Sequence, residues 1–427
     1  MIFPSIKKYA VIFCLVIIFS CSSAPAPRYD SVVIPEDFFG IVHAGTRRTA
    51  EEYQFLDELG ARWVLDTFYW GVIEREQGVF DFSYYDDYVD TAIRQNRKVA
   101  AVLGYEAPWL TPHKKRYISP DNIPHFLNFV RETVQHFKGR VNVWSIWNEP
   151  NFVFWNGPAG EFYELTVQTA QVIRETDPGC DIIGGVFWRT PARFIKNMHK
   201  AGAMKDLDGL AFHPYAITPS GAMKLHDKFL DVLEKLDYSG PVWITEVGYP
   251  TGGWYPTRVS LNKNPSYIVK TIAGLAVRGA RVLFWYELFD SQNEGETSRT
   301  FDTSEKFFGL AYPDYQRKSG SWAYELCARF LPGSRYVPEY PLRENIPSNI
   351  VSFCFTNSAS GYNTLILWNN RNKNQKINLY LPGSAVLYDI SSGKGNPLGS
   401  EISLDVGSQP LIITWQETGV PRLFIPK

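Results

Sequence analysis

The sequence predicts an α/β fold, a (β/α)8 TIM barrel over residues 38–333 followed by a small antiparallel β-sandwich domain over residues 334–427. Three observations carry this. Eight short apolar runs alternate with longer amphipathic stretches up to about residue 290, which is the rhythm of parallel βαβ units. A doubly wound sheet would open with a Gly-rich first turn, and no Gly-x-Gly-x-x-Gly occurs. After Leu331-Pro332-Gly333 the texture changes to apolar–polar alternation punctuated by turn clusters.

In chain order, strands are expected at residues 39–43, 63–67, 99–103, 141–147, 181–185, 209–213, 242–246 and 281–285. Helical spacing of apolar residues falls between them, at 49–59, 84–94, 124–137, 162–175, 192–201, 224–236 and 265–278. A last helix at 321–330 completes the eighth unit. In the C-terminal domain, strands are expected at 350–356, 363–368, 376–381, 386–390, 402–406 and 411–415. Clusters such as Asn357-Ser358-Ala359-Ser360-Gly361 and Ser391-Ser392-Gly393-Lys394-Gly395 separate them as turns. No catalytic cluster lies in this domain, so packing against the barrel is its expected role, ahead of binding a ligand of its own.

The N-terminus reads as a targeting segment. Lys7-Lys8 precede an apolar run over residues 10–19 that is too short to span a bilayer, which takes about 20 residues. It suits a signal peptide over residues 1–20. The segment Ile18-Phe19-Ser20-Cys21 resembles the bacterial lipoprotein lipobox, with Phe19 where a small residue is usual. That resemblance implies lipidation of Cys21, a membrane partner reached through the lipid, and a place in the bacterial cell envelope. An ordinary secretory signal with an incidental Cys21 is the alternative. Ser22-Ser23-Ala24-Pro25-Ala26-Pro27 then opens a tether over residues 21–37.

Composition excludes several functions. With 43 Lys+Arg against 44 Asp+Glu there is no basic excess to neutralise phosphates, so no nucleic-acid partner is expected. Cys180, Cys327 and Cys354 are too scattered for a disulfide framework or a Cys-x-x-Cys metal site and are expected to be buried. Gly-x-Ser-x-Gly, a phosphate loop and His-Glu-x-x-His are all missing, so no metal and no organic cofactor is expected. The 13 Trp, 24 Tyr and 28 Phe exceed what a core needs, so some should line a binding surface.

Two strand ends point to chemistry. Trp147-Asn148-Glu149-Pro150 ends the fourth barrel strand, and Ile244-Thr245-Glu246-Val247-Gly248 ends the seventh. A carboxylate ending a buried strand is costly unless paired or useful. In a barrel both would face the C-terminal mouth, where active sites of this fold lie.

These motifs resemble those of clan A glycoside hydrolases, the retaining (β/α)8 enzymes, over roughly residues 38–333. The run from Trp70 to Phe82, and Phe307-Phe308-Gly309-Leu310 with Lys318, are similar to segments of family 39, the β-xylosidase-like group. The resemblance implies an oligo- or polysaccharide substrate, Glu149 as acid/base and Glu246 as nucleophile. It further implies Asn148 as a hydrogen-bond partner of the sugar 2-hydroxyl, His213 lining the site, and Tyr215 hydrogen-bonding Glu246. Trp285, ending the eighth strand, would be a stacking platform for the sugar. The proximity of ionised Glu246 should raise the pKa of Glu149. Asn148 as a mere strand cap, His213 as a structural histidine and Trp285 as a core residue are the plainer alternatives.

Trp70, Trp109, Trp155 and Trp254 fall in loops on the same face, and at least one is expected to bind sugar; His43 is a further candidate. Asp66-Thr67-Phe68 stands where cellulase-like relatives often carry Arg, which argues against a simple cellulase. The expected activity is therefore retaining hydrolysis of a β-linked glycan. A non-catalytic glycan-binding lipoprotein and a transglycosidase are the alternatives, and oligomeric state has no signature in the sequence.

Overall fold

The computed structural model describes residues 31–47, 49–111, 115–253, 258–291, 304–338, 347–371, 373–381 and 383–416, and the backbone of 422–424. The signal segment, Cys21 and Trp254 lie outside the described residues.

The chain opens with β1 (Val32–Val33) and then builds a closed parallel barrel. Its strands are β2 (Phe39–Val42), β3 (Trp63–Tyr69), β4 (Lys98–Gly104), β5 (Val143–Ile146), β6 (Asp181–Trp188), β7 (Gly209–His213), β8 (Val242–Val247) and β9 (Ala280–Trp285), with β9 closing on β2. Around it lie α1 (Ala50–Leu59), the single turn α2 (Trp70–Ile73), α3 (Ser83–Arg94), α4 (Ile123–His136), α5 (Ala159–Thr176), α6 (Ala192–Lys200), α7 (Pro219–Glu234), α8 (Asn264–Ala276) and α9 (Ser319–Phe330). Every expected strand and helix of this half is present, with ends moved by a few residues.

Strand parity sorts the side chains. All eight strands send apolar residues into the barrel, among them Val42, Leu65, Val102, Val143, Ala211, Trp243, Val282 and Phe284. Their neighbours in sequence, such as Val64, Trp144, Ile244, Leu283 and Trp285, face outward onto the helices and join the larger core. Gly40 is required here, because a Cβ at that position would stand 2.5 Å from the Phe284 ring that fills the interior.

Helix α1 shows how sequence sets a boundary that matters for the site. The Thr49 side chain accepts from the Glu52 amide, and Gly60 ends the helix at φ 71°. The buried Glu52 carboxylate accepts from the amides of Gly45 and Arg47, so the cap also fixes the loop that leaves β2.

The C-terminal half is two antiparallel sheets. One contains, in order, β1, β10 (Arg335–Tyr336), β11 (Ile350–Thr356), β12 (Asn363–Asn369), β17 (Leu411–Trp415), β14 (Ala385–Tyr388) and β15 (Gly395–Leu398). The other orders β16 (Glu401–Val406), β13 (Gln375–Tyr380) and β18 (Arg422–Phe424). The six expected strands are among them. The segment expected as tether, 21–37, contains β1, whose Val32 pairs with Tyr336, while Ile34 is buried. Two valines followed by isoleucine have the β-propensity to do this. Phe353, Phe355, Trp368 and Ile412 join the barrel's outer core, so the small domain is packed on the barrel through a shared apolar interior. Each fully buried side chain of this size contributes about 1.5–3 kcal/mol. The expected burial of Cys180, Cys327 and Cys354 is also observed.

Candidate active site

Glu149 and Glu246 meet at the C-terminal mouth of the barrel. The backbone leaving β5 turns sharply, with Trp147 at φ 64° and Glu149 at φ 41°. Non-glycine residues there cost on the order of 1–3 kcal/mol, so the surroundings must hold them. The buried Trp147 indole donates to the Phe154 carbonyl at 2.7 Å, and the Glu149 amide donates to Val186 O at 2.9 Å across to β6. Glu246 lies within β8 itself, one residue from its end. Gly248 follows because a Cβ there would stand 2.1 Å from the Tyr286 carbonyl oxygen.

His213, at the end of β7, links the two carboxyl groups. Its Nδ1 lies 2.7 Å from Glu149 Oε1 and 3.5 Å from Glu246 Oε2, while Nε2 lies 3.0 Å from Thr245 Oγ1. One ligand atom from each of Glu149, His213 and Glu246 lies within 4.8 Å of the other two. A cation could use such a triangle, yet Nδ1 and the Glu246 carboxylate already have hydrogen-bond partners within the protein. Tyr215 donates its hydroxyl hydrogen to Glu246 Oε2 at 2.9 Å.

The two carboxyl groups differ in surroundings. Burial raises the pKa of Glu149 to about 8. The direction is the expected one with burial its main cause, and the repulsion between the two carboxyl groups enters at Glu246. Burial also raises Glu246, with the Glu149 charge adding to it, but His213, the Tyr215 hydroxyl and His43 pull it back. Glu246 is also the more open, with 18% of its side chain exposed against 7% for Glu149. His213 is wholly buried, and burial lowers its pKa, so its imidazole is neutral.

Of the other expected residues, Asn148 stands half-buried beside the acid and hydrogen-bonds the Tyr105 hydroxyl. His43 is in the site as well: its Nδ1 lies 3.4 Å from Glu287 Oε2. Enclosure by the barrel mouth works against its charge. The hydrogen bond to Glu287 and the charges of Asp66, Glu287 and Glu246 prevail, raising it to about 9. Because 44% of the side chain still meets solvent, that enclosure is an open cleft.

Trp285 is not in the site. It is 1% exposed, faces outward and packs near Tyr249 under the helix layer. The physical reason is parity: Val282, Phe284 and Tyr286 point inward, so odd-numbered Trp285 cannot. Tyr286 occupies the mouth instead, 5.3 Å from Phe308, 5.7 Å from His43 and 6.5 Å from Tyr215 between ring centres. Trp70 and Trp155 are also buried, Trp70 stacked on Phe129 and Trp155 against Trp147. Trp109 is half-buried, its indole donating to Glu74 O.

Sequence reasoning missed Tyr286, Glu287, Tyr105 and Tyr69. Glu287 is 6% exposed and its Oε1 has no hydrogen-bond partner among the described residues, so it has capacity for a ligand hydroxyl. The turn Phe308-Gly309-Leu310 holds it: Leu310 N donates to Glu287 O, while the Lys318–Asp290 ion pair anchors Gly309 N. Tyr69, 43% exposed, packs against Tyr105, and the two supply aromatic surface in place of the expected tryptophans.

Among solved structures the chain is similar to a family 39 glycoside hydrolase from the gut symbiont Bacteroides cellulosilyticus WH2. The TM-score is 0.73 at 18% identity, covering 89% of this chain and 81% of that one. A family 39 β-xylosidase from Caulobacter crescentus matches at TM-score 0.66 and 15% identity, covering 91% and 98%. A family 39 enzyme from Xanthomonas axonopodis pv. citri matches at 0.65 and 14%, covering 92% and 98%. The likeness is one of fold. No protein-family model and no curated protein matches the sequence.

Proposed function

We propose that the protein is a retaining glycoside hydrolase that cleaves a β-linked glycan by double displacement. One observation supports this above the others: in unequal surroundings, one carboxyl oxygen of Glu149 lies within 4.8 Å of one of Glu246. Retaining enzymes place the pair about 5–5.5 Å apart, whereas inverting enzymes need roughly 6.5–9.5 Å to admit a water. The family 39 names of the structural neighbours agree with it.

In the first step the Glu246 carboxylate attacks the anomeric carbon and forms an ester. The glycosidic C–O bond breaks, and its oxygen takes the proton held by Glu149. In the second step Glu149, now ionised, removes a proton from water. The water oxygen bonds to the anomeric carbon and Glu246 leaves. The Tyr215 hydroxyl disperses charge on Glu246 while it is a carboxylate, and must let go of the attacking oxygen as the ester forms.

For the sugar itself, His43 and Glu287 offer a charged donor and acceptor for adjacent hydroxyls, and Tyr286 offers a ring face. A β-xyloside is the first substrate to try, since one neighbour is named a β-xylosidase. We also propose that Cys21 is a lipid attachment site that places the protein in the bacterial cell envelope, supported by the lipobox-like Ile18-Phe19-Ser20-Cys21.

The test is a panel of aryl β-glycosides followed by polysaccharides, with proton NMR of the first product formed. Release with retained configuration is expected. Release with inversion would overturn the mechanism, and binding of glycans without any release would overturn the enzyme reading. Sugar transfer to an added acceptor in preference to water would change the reading to transglycosidase.

A further inference from the structure

We infer that Thr245 is a positioning residue: its hydroxyl donates to Nε2 of His213, fixes the Nδ1–H tautomer, and so keeps the acid proton of Glu149 on the oxygen that faces the leaving group. The inference rests on the proposed roles of Glu149 and Glu246. It begins from an accounting of protons around one buried ring.

His213 is wholly buried, and its two nitrogens have three polar neighbours: Glu149, Glu246 and Thr245. A neutral imidazole carries one N–H and one lone pair, so one nitrogen donates and the other accepts. Nδ1 faces a carboxyl oxygen on each side, at 2.7 Å and 3.5 Å. An ionised carboxylate only accepts. A lone pair on Nδ1 would therefore point at the Glu246 carboxylate, and a hydrogen on Nδ1 is attracted to both.

The competing tautomer has a specific cost. If Nδ1 were the acceptor, Glu149 would have to donate from Oε1, the atom 2.7 Å away. The proton would then be held by the imidazole instead of by Oε2. With Nδ1–H as donor, Oε1 accepts in both protonation states and the exchangeable proton resides on Oε2. The carboxyl pair favours the hydrogen on Nδ1, and Thr245 secures it. A hydroxyl can donate or accept, and with the hydrogen on Nδ1 the lone pair of Nε2 takes the Thr245 hydroxyl hydrogen across 3.0 Å, so both ring nitrogens are satisfied. Thr245 is 2% exposed and lies on β8 directly before Glu246, so water does not take its place and the strand aims it.

The titratable groups around His213 come from separate elements: Glu149 after β5, Glu246 on β8, Tyr215 after β7, with His43 after β2 acting through Glu246. Removing the Nδ1–H donor makes both carboxylates harder to ionise, so both limbs of the pH–rate profile move to higher pH.

The experiment uses the full chain labelled with nitrogen-15 at histidine, the His213 signals being assigned by their loss in His213→Asn. The wild type should show a protonated Nδ1 and an unprotonated Nε2. In Thr245→Val, close to isosteric, the resonances should move toward a mixture of tautomers. Its kcat on a glycoside with a poor leaving group should fall on the order of 10-fold with KM little changed. Thr245→Ser, which keeps the hydroxyl, should restore the resonances and the pH profile. A wild-type His213 protonated at Nε2, or at both nitrogens, overturns the inference. So does a Thr245→Val enzyme with the wild-type tautomer and pH profile. The tautomer is read without any substrate, so a chain that cleaves no glycan yet shows the Nδ1–H form would sink the proposed activity and leave the Thr245–His213 pairing standing.

Discussion

Glu149 and Glu246 face each other across a single nitrogen of His213, which lies 2.7 Å from the first and 3.5 Å from the second. Two carboxyl groups this close, both largely shielded from solvent, do not both ionise cheaply. Burial places the proton on Glu149, which holds it up to about pH 8, while Tyr215, His213 and His43 favour charge on Glu246.

The acid role gives two expected outcomes for Glu149. Activity on poor leaving groups should fall as pH rises through about 8, where the acid loses its proton. Glu149→Ala should keep far more activity on dinitrophenyl glycosides than on natural glycans; uniform loss across leaving groups would rule the role out. Stability should follow the same proton. The folded chain holds it to about 8 and the unfolded chain releases it near 4.5, so folding stability falls as pH rises between those values. The fall is up to about 1.4 kcal/mol per pH unit. Thermal melts of Glu149→Gln against wild type should show a gap that widens from pH 5 to 8 and then levels; a constant gap would show that Glu149 does not carry the shifted proton.

Glu246→Ala should lose on the order of 10³-fold or more in rate, roughly 4 kcal/mol of barrier, because the nucleophilic route disappears. A 2-fluoro glycoside of the right sugar should trap the ester on the wild type, and peptide mapping should find the label on Glu246. A label on another residue ends the assignment.

Trp285 and Tyr286 should respond in opposite ways. Trp285→Ala empties a packed space under the helices and should cost about 3–5 kcal/mol in denaturant melts. Tyr286 is half-buried, so Tyr286→Ala should cost less in stability than Trp285→Ala but lower kcat/KM roughly 10-fold, the loss of one aromatic face. If Trp285→Ala instead weakens sugar binding in a protein of wild-type stability, the parity argument is wrong.

Glu287→Gln keeps the shape and removes the charge that His43 faces. Hydrogen bonds to charged groups contribute about 1.5–3 kcal/mol, so kcat/KM should drop roughly 10- to 100-fold, mostly through KM. Unchanged kinetics across the aryl glycoside panel would remove Glu287 and His43 from the sugar site.

Cys21→Ala should leave the protein unprocessed or soluble. Labelling cells with a radioactive fatty acid and fractionating them is the check, and equal label on wild type and variant would show that Cys21 is not the attachment site.

What the sequence made legible was what repeats. Apolar runs of strand length between helical patterns defined all eight barrel strands, because a parallel barrel buries both strand faces. That same burial hid which residue of a pair faces inward. Val282 to Tyr286 is apolar or aromatic throughout, so no polar alternation marked Tyr286 over Trp285. The carboxylates stood out because charge interrupts such runs. Glu287 did not, since it follows the strand in a region already rich in acids, Asp290, Glu294 and Glu296. Strand β1 is two residues long and finds its partner far away in sequence, beyond any local pattern.

That pairing has a consequence for the order in which the chain folds. Val32 is among the first described residues to be synthesised, yet its partner Tyr336 is made about 300 residues later. During synthesis the barrel's strands and helices can find each other while β1 has nothing to bond to. The entry strand must wait, solvated, until the end of α9 has emerged and β10 follows it. Closing so long a loop is entropically slow, so the seam between β1 and β10 belongs to the last steps of folding and not to its nucleus. A nascent chain arrested just after Phe330 would therefore hold a barrel preceded by an unpaired strand, whose sheet is still to be made.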